Sequence, residues 1–337
     1  DTLTAEAGDD TVSGGSDADT IIFGTNLTSA DTIDGGAGTD ELQFTDSGLA
    51  TSDLDGVTNV ETVTLGDAAT SVTTVDNLVG NGATLTVDAT ALTDTNSLTW
   101  DGSAETDGSF NITGSAQADT ITGGAGDDVL SGGAGADRIS GGAGEDRILA
   151  GAGDDTIVFA DGDILRLAEI VDGGDGYDTI IFSAEDIKNV DFGNVINIEA
   201  IQSGSGNDVI NLSQLTFSAS ISTGSGNDEI EFGTNLSSAG EIDGGEGSDT
   251  LSFVDSGTQI SDLDGVKNIE TIIVKNAMTN VRTLDGLVAS GQILSVSATA
   301  LKGVNSLSWD GSAELDGSFN ITGSAQDDTI TGSSGDD

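Results

Sequence analysis

The sequence predicts an all-β chain wound as a parallel β-roll or β-helix solenoid, on three observations. From Gly123 to Leu149 it reads GGAGDDVLS GGAGADRIS GGAGEDRIL: nine residues recur with Gly, Gly, Gly and Asp at fixed places and one large apolar residue two positions after the Asp. Copies stand in tandem, five of them between Gly114 and Val158, the first GSAQADTIT and the last AGAGDDTIV. A longer period lies over the short one. Phe23–Asp40, FGTNLTSADTIDGGAGTD, returns 209 residues later as Phe232–Asp249, FGTNLSSAGEIDGGEGSD, and 69 of 106 aligned positions are identical. A fixed short period marks stacked units that bury a core only together.

Each nonapeptide follows from elementary stereochemistry. The G-G-x-G-x-D part is a turn, because its glycines permit φ > 0 and close backbone approach. The remaining three residues form a short strand whose middle side chain (Leu130, Ile139 or Ile148) points inward. Two units make one coil of 18 residues. Stacked coils place parallel strands on two faces and a column of turns along each edge, with carboxylates repeating at roughly the ~4.8 Å strand spacing.

Composition says what those columns need. The chain has 337 residues, 50 Gly, no Pro, no Cys and no His, and 59 acidic against 8 basic side chains give a formal net charge of −51. Self-repulsion of that size opposes compaction. So acidic a chain, with 4% aromatic residues, has the composition of disorder unless something cationic joins the fold. The charge argues against nucleic acid or anionic lipid as partner. No apolar run reaches the ~18 residues of a membrane helix, so no membrane insertion is expected. Without Cys there is no disulfide frame or thiolate site. Closely spaced carboxylates beside backbone carbonyls suit Ca²⁺, which takes 6–8 oxygen ligands in flexible geometry, better than Mg²⁺, which demands a near-ideal octahedron.

The G-G-x-G-x-D-x-U-x run, with U a large apolar residue, resembles the RTX (repeats-in-toxin) calcium-binding family. That resemblance implies a parallel β-roll with several Ca²⁺ ions in its glycine-rich turns, the position-six Asp as side-chain ligand, and turn carbonyls completing the shell. The candidate ligands are Asp10, Asp19, Asp40, Asp119, Asp128, Asp137, Asp146, Asp155, Asp178, Asp208, Asp228, Asp249, Asp328 and Asp337. Asp34, Asp172 and Asp243, which precede glycine pairs, could each add a ligand. Spacing of 18 pairs Asp119 with Asp137, Asp128 with Asp146, and Asp137 with Asp155 on shared edges. Spacings of 21 (Asp19 to Asp40, Asp228 to Asp249) and 20 (Asp208 to Asp228) fit same-edge coils with small loops. GSAQAD and GGSDAD lack the glycine at position four.

Between the repeat blocks lie Leu54–Leu65 and Leu263–Val274, LDGVTNVETVTL and LDGVKNIETIIV, then Ala83–Leu92 and Gln292–Leu301. These Thr/Val/Ile/Leu runs read as short strands in coils of the same solenoid, widened by loops. The expected organisation is therefore repeats over 1–44, a strand-rich insert over 45–113, the tandem block over 114–181, sparse repeat coils over 182–253, a second insert over 254–322, and the start of another block over 323–337. The whole is read as one continuous solenoid, excerpted from a longer protein. Trp100 and Trp309, each in a WDG, are read as packing rather than as a sugar-stacking site. Glu61 and Glu270 are read as structural rather than catalytic. Arg138 and Arg147 take outward strand positions and trim surface charge. Asn-x-Ser/Thr triplets at Asn26, Asn111, Asn211 and Asn235 are treated as chance in so Ser/Thr-rich a chain.

The expected function is non-enzymatic: a rigid Ca²⁺-dependent structural segment of a secreted or cell-surface assembly, whether S-layer, adhesin stalk or filament. Blocks of repeats alternating with strand-rich runs resemble large bacterial surface proteins, Caulobacter-type S-layer proteins and giant adhesins. The RTX resemblance implies export by a type I system and an extracellular or bacterial cell-surface location. Self-assembly through Ca²⁺-bridged or end-to-end contacts is expected, with cell-surface polysaccharide as a further partner. The alternatives are a repeat region appended to a secreted protease or lipase, and a glycan- or ice-binding adhesin segment.

Overall fold

The structure, a computed structural model, describes residues 1–46, 48, 51–160, 165, 168–188, 190–234, 236, 240–255 and 263–337. Asn235 and Ser237, the two residues that define the triplet there, therefore lie outside the described residues. Among the described residues the fold is all-β with no α-helix, and every strand pairing is parallel. Two compact units divide the chain, the first over 1–164 and 168–179, the second over 165–167 and 180–337.

In the first unit one ladder joins nine strands in chain order: Thr2–Thr4, Thr20–Gly24, Glu41–Phe44, Thr62–Leu65, Thr84–Asp88, Ser109–Thr113, Val129–Ala134, Arg147–Ala152 and Ile170–Asp175. Each step skips the strand between, so that strand belongs to the opposite face. There Thr70–Thr73, Leu98–Asp101, Thr120–Thr122, Arg138–Ser140 and Thr156–Phe159 form the second ladder. Thr11–Ser16, Thr32–Ala37 and Val57–Thr58 form a third. In the tandem block the register advances by 18 residues, Thr120 to Arg138 to Thr156. Through the insert it advances by more, Glu41 to Thr62 and then Ser109 from Thr84. The insert strands thus stay in the ladder, and their extra residues go into the turns.

The second unit repeats the plan. Val209–Asn211, Glu229–Glu231, Thr250–Phe253, Thr271–Val274, Ile293–Ser297 and Ser318–Thr322 stack on one face. Ala200–Gln202, Ser220–Ser222, Ile242–Asp243 and Val266–Lys267 form a second ladder, and Thr279–Arg282, Leu307–Asp310 and Thr329–Thr331 a third.

One inward apolar side chain per nonapeptide builds the core. Ile121, Leu130, Ile139, Ile148 and Ile157 are all buried, each stacked in register on its counterpart one coil away. Wider insert coils need larger fillers. Trp100 pairs in register with Val72 and Ile121, and its ring meets Phe110 edge-on at 5.7 Å and 78°. Trp309 and Phe319 repeat the contact at 5.6 Å and 77°. Both tryptophans are core residues, closed to any sugar. Arg138 and Arg147 are exposed at outward strand positions.

Candidate metal centres

The repeat carboxylates turn inward. Asp19, Asp40, Asp119, Asp128, Asp137, Asp146, Asp155, Asp178, Asp208, Asp228 and Asp249 are all buried, although each sits in a turn of a strongly acidic chain. A buried carboxylate needs donors or a counter-charge. Half of that need is met along the stack. The N–H of Asp119 donates to Asp137 Oδ1 at 2.8 Å, that of Asp137 to Asp155 Oδ1, and that of Asp155 to Asp178 Oδ1. On the other edge the N–H of Asp128 donates to Asp146 Oδ1 at 2.9 Å. Asp19 donates likewise to Asp40, Asp208 to Asp228, and Asp228 to Asp249. Spacings of 18, 20 and 21 therefore all place the acidic side chains one coil apart on a common edge.

The second oxygen divides the turns into two kinds. In the first kind it is capped by the residue at position two of its own turn. Ser115 donates its N–H to Asp119 Oδ2 at 2.6 Å and its hydroxyl to Oδ1 at 2.9 Å. Ser324 does the same for Asp328, and Ser333 for Asp337. Gly124 supplies its N–H to Asp128 Oδ2 at 2.7 Å. The amide of Leu307, followed by the Ser324 hydroxyl and N–H, holds the Asp328 carboxyl below the usual carboxylate range.

In the second kind no such bond is made, and at every one of these turns except that of Asp10, where Glu6 stands, the position-two residue is a glycine in the left-handed region. Gly133, with φ 110°, is the example in the tandem block. Oδ2 of Asp137 is then buried with no hydrogen-bond partner, and so are Oδ2 of Asp10, Asp19, Asp40, Asp155, Asp228 and Asp249. Burial pushes Asp137 up to about 7, with Asp119 and Asp155 adding repulsion. Asp249 rises to about 6, again chiefly from burial. Asp128 reaches about 7 because burial outweighs its two amide bonds.

Other oxygens converge on the same place. A Cβ on Gly132 would run into both Asp137 Oδ2 and the carbonyl oxygen of Ala150 in the next coil. At Gly14 it would strike Asp19 Oδ2 and the carbonyl of Gly35. The first glycine of the motif is there because a carboxylate oxygen and a carbonyl oxygen occupy the space where a side chain would be. An orphaned anionic oxygen beside a carbonyl, out of water, is a donor set for a hard cation.

Position four in GGSDAD is Asp17, which itself takes φ 84° and so keeps the glycine geometry. The three residues ahead of glycine pairs sit differently. Asp34 is exposed and accepts from Asn59 Nδ2 at 2.8 Å; Asp243 accepts from Asn268 Nδ2 at 2.7 Å and pairs with Lys267 Nζ at 3.3 Å. Asp172 lies half-buried, paired in register with Leu149. Residues that lack the motif also join the columns. Glu61 Oε2 accepts the N–H of Asp40 at 2.8 Å, Glu270 Oε2 that of Asp249 at 2.7 Å, and Asp31 Oδ1 that of Asp10 at 2.8 Å. The shared spacing of 21 residues was the one sequence signal for these. Asp285, Glu314 and Asp316 bring carboxylate oxygens within 4.8 Å of one another, with Glu314 bonded to the amides of Gly286, Val288 and Gly317.

Parallel coils stacked through buried carboxylates define a repeat solenoid whose turns are organised around anionic oxygens. The particular repeat is shown by a family model for the RTX calcium-binding nonapeptide repeat (four copies), which matches residues 1–25, 28–43, 111–139, 131–163 and 320–337. The chain thus carries RTX nonapeptide repeats, which are calcium-binding. No curated protein matches the chain. The matched segments stop short of Asp178–Asp249, yet Asp208, Asp228 and Asp249 form the same ladder.

Proposed function

We propose that this chain is a non-catalytic structural segment of a secreted or cell-surface assembly, such as an S-layer, adhesin stalk or extracellular filament, folded by Ca²⁺ at its open turns. The observation that carries the reading is the row of buried Oδ2 atoms without donors at Asp10, Asp19, Asp40, Asp137, Asp155, Asp228 and Asp249. Bound Ca²⁺ would supply the positive charge those atoms lack. The residues around it do the rest: backbone amides of the preceding coil fix each carboxylate through Oδ1, and turn carbonyls such as that of Ala150 stand beside Oδ2. Asp119, Asp328 and Asp337 are satisfied by serine and are assigned the weakest sites.

An extracellular setting fits this chemistry. Sites of the ~10⁻⁴–10⁻³ M extracellular kind stay empty at cytosolic Ca²⁺ and fill outside. A chain of net charge −51 with one inward apolar residue per nonapeptide then folds where it is needed. Calorimetric titration of the chelated chain with Ca²⁺, followed in parallel by circular dichroism, tests the reading. Strand signal should rise with ion uptake; a strand signal unaffected by chelation overturns it.

A further inference from the structure

The two strand-rich inserts share their fold and differ in surface charge at one edge. In the first insert the turn after Thr62–Leu65 is stitched to the turn of the next coil by Asp67, which accepts from Thr93 N at 2.8 Å and Asn96 Nδ2 at 2.8 Å. In the second insert Asn276 does the same work 209 residues later, accepting from Lys302 N at 2.7 Å and Asn305 Nδ2 at 3.0 Å. The two edges are built alike, so position-by-position comparison is direct.

Asp67, Asp88 and Asp94 of the first edge become Asn276, Ser297 and Gly303 in the second, while Gly66 and Thr93 become Lys275 and Lys302. The first insert holds no Lys or Arg at all, whereas Lys267, Lys275, Arg282 and Lys302, half of the chain's eight basic residues, fall in the second. Lys275 is bridged to Glu231 at 2.5 Å, which leaves Lys302 as the outward cation of this edge. Apolar groups accompany it. Ala69 and Thr95 are replaced by Met278 and Val304, which are 59% and 82% exposed. Large apolar side chains displayed beside a cation, on a chain this acidic, mark a contact surface.

We propose that the edge formed by Met278, Lys302 and Val304 docks onto the equivalent edge of the first insert, at Asp67, Asp88 and Asp94, in a second copy of this chain. The partner is chosen by charge. The opposing edge has the same backbone shape, displays three carboxylates and offers the small exposed residues Ala69 and Thr95 to receive the apolar pair. Asp67 stays ionised there, because the Thr93 hydroxyl, the Asn96 amide and the Thr93 N–H hold its carboxyl below the usual range. A contact between two different surfaces is head-to-tail, so it propagates into rings or filaments rather than closing as a pair. The proposal deepens the structural reading above and rests on it.

The test uses the full chain at saturating Ca²⁺, with folding verified by circular dichroism and association measured by sedimentation velocity. Each variant borrows the residues of the other insert, so the backbone already tolerates them. One carries Met278→Ala, Lys302→Thr and Val304→Thr; the other carries Asp67→Asn and Asp94→Gly. Either should weaken association about tenfold or more, and added NaCl should weaken the unaltered chain in the same direction. Mixing the two variants should restore contact but stop growth at pairs, because each partner keeps one competent edge. Association of the variants equal to that of the unaltered chain overturns the proposal, as does a folded, Ca²⁺-loaded chain that stays monomeric throughout. Loss of Ca²⁺-dependent folding would instead strike the structural reading, and circular dichroism separates the two.

Discussion

Asp137 gives its N–H to Asp155 Oδ1 and takes the N–H of Asp119 on its own Oδ1, both at 2.8 Å, while its Oδ2 has no partner. One side chain therefore locks two coils together and still presents an unsatisfied anionic oxygen. Stability and ion binding are the same event at this residue, which sets the expectations below.

Removal of Ca²⁺ should unfold the open-turn coils. An ion held at about a hundredfold its Kd stabilises by ~2.7 kcal/mol per site, and several sites lie in one stack. Trp100 and Trp309 report the change, since both are buried beside a phenylalanine. Their emission should shift to the red on chelation and return on addition of Ca²⁺; an unmoved spectrum speaks against metal-coupled folding.

Asp137→Ala should cost more than Asp119→Ala. Asp119 has Ser115 as donor to both oxygens, so its loss removes a capped carboxylate. Asp137 has an orphaned Oδ2, and its loss removes a ligand and the lock on Asp119. Calorimetry should record fewer Ca²⁺ bound for Asp137→Ala and an almost unchanged count for Asp119→Ala. Equal losses from the two would contradict the division into open and capped turns.

Acid should partly replace Ca²⁺. Asp128 and Asp137 stand at about 7 in the folded chain, against an ordinary carboxylate near ~3.9 when unfolded. The folded state therefore binds protons more tightly between those values, and the metal-free fold is stabilised as pH falls through 7 and loses that stability as pH rises through it. The strand signal of the chelated chain, lost at pH 8, should partly return as pH falls to about 5. Ca²⁺ affinity should fall over the same range, because proton and ion compete for the same oxygens. A strand signal of the chelated chain that drops on acidification would reverse the sign and refute the account.

Gly132→Ala should damage both the fold and the site. Its Cβ meets Asp137 Oδ2 and the Ala150 carbonyl, and forcing a methyl into a packed place costs ~1–3 kcal/mol. Gly8→Ala makes a control for crowding, since a Cβ there meets nothing within 4 Å, though its φ of 150° adds backbone strain of its own. Thermal midpoints at saturating Ca²⁺ should separate the two, with Gly132→Ala the lower.

Much of this was legible in the sequence, and the limit has a physical cause. The inward placement of Leu130, Ile139 and Ile148 and the 18-residue step follow from local periodicity alone. Whether a turn is open or capped does not, because glycine at position two takes either conformation: Gly124 caps Asp128 while Gly133 leaves Asp137 bare. Glu61, Glu270 and Asp31 carried no signal beyond their 21-residue spacing, since their place in the columns depends on the coil-to-coil register. Asn59, Asn197 and Asn268, with φ near 50°, show the same thing for turns: a second type of bend, V-T-N-V, V-I-N-I and V-K-N-I, recurs without any glycine motif to announce it.

The step of 18 residues in the tandem block also governs how such a chain can change length. Asp128, Asp137, Asp146 and Asp155 are each served by the amide of the residue 18 positions earlier, so excising 18 residues among them brings an equivalent amide to an equivalent carboxylate and the ladder closes again. Excising nine, though it removes one whole motif and leaves the local sequence nearly unaltered, hands every later strand to the opposite face and every later Asp to the opposite edge. Gene duplication and deletion in this block are thus quantised in pairs of motifs, and single-motif slippage is the mutation that the fold cannot absorb.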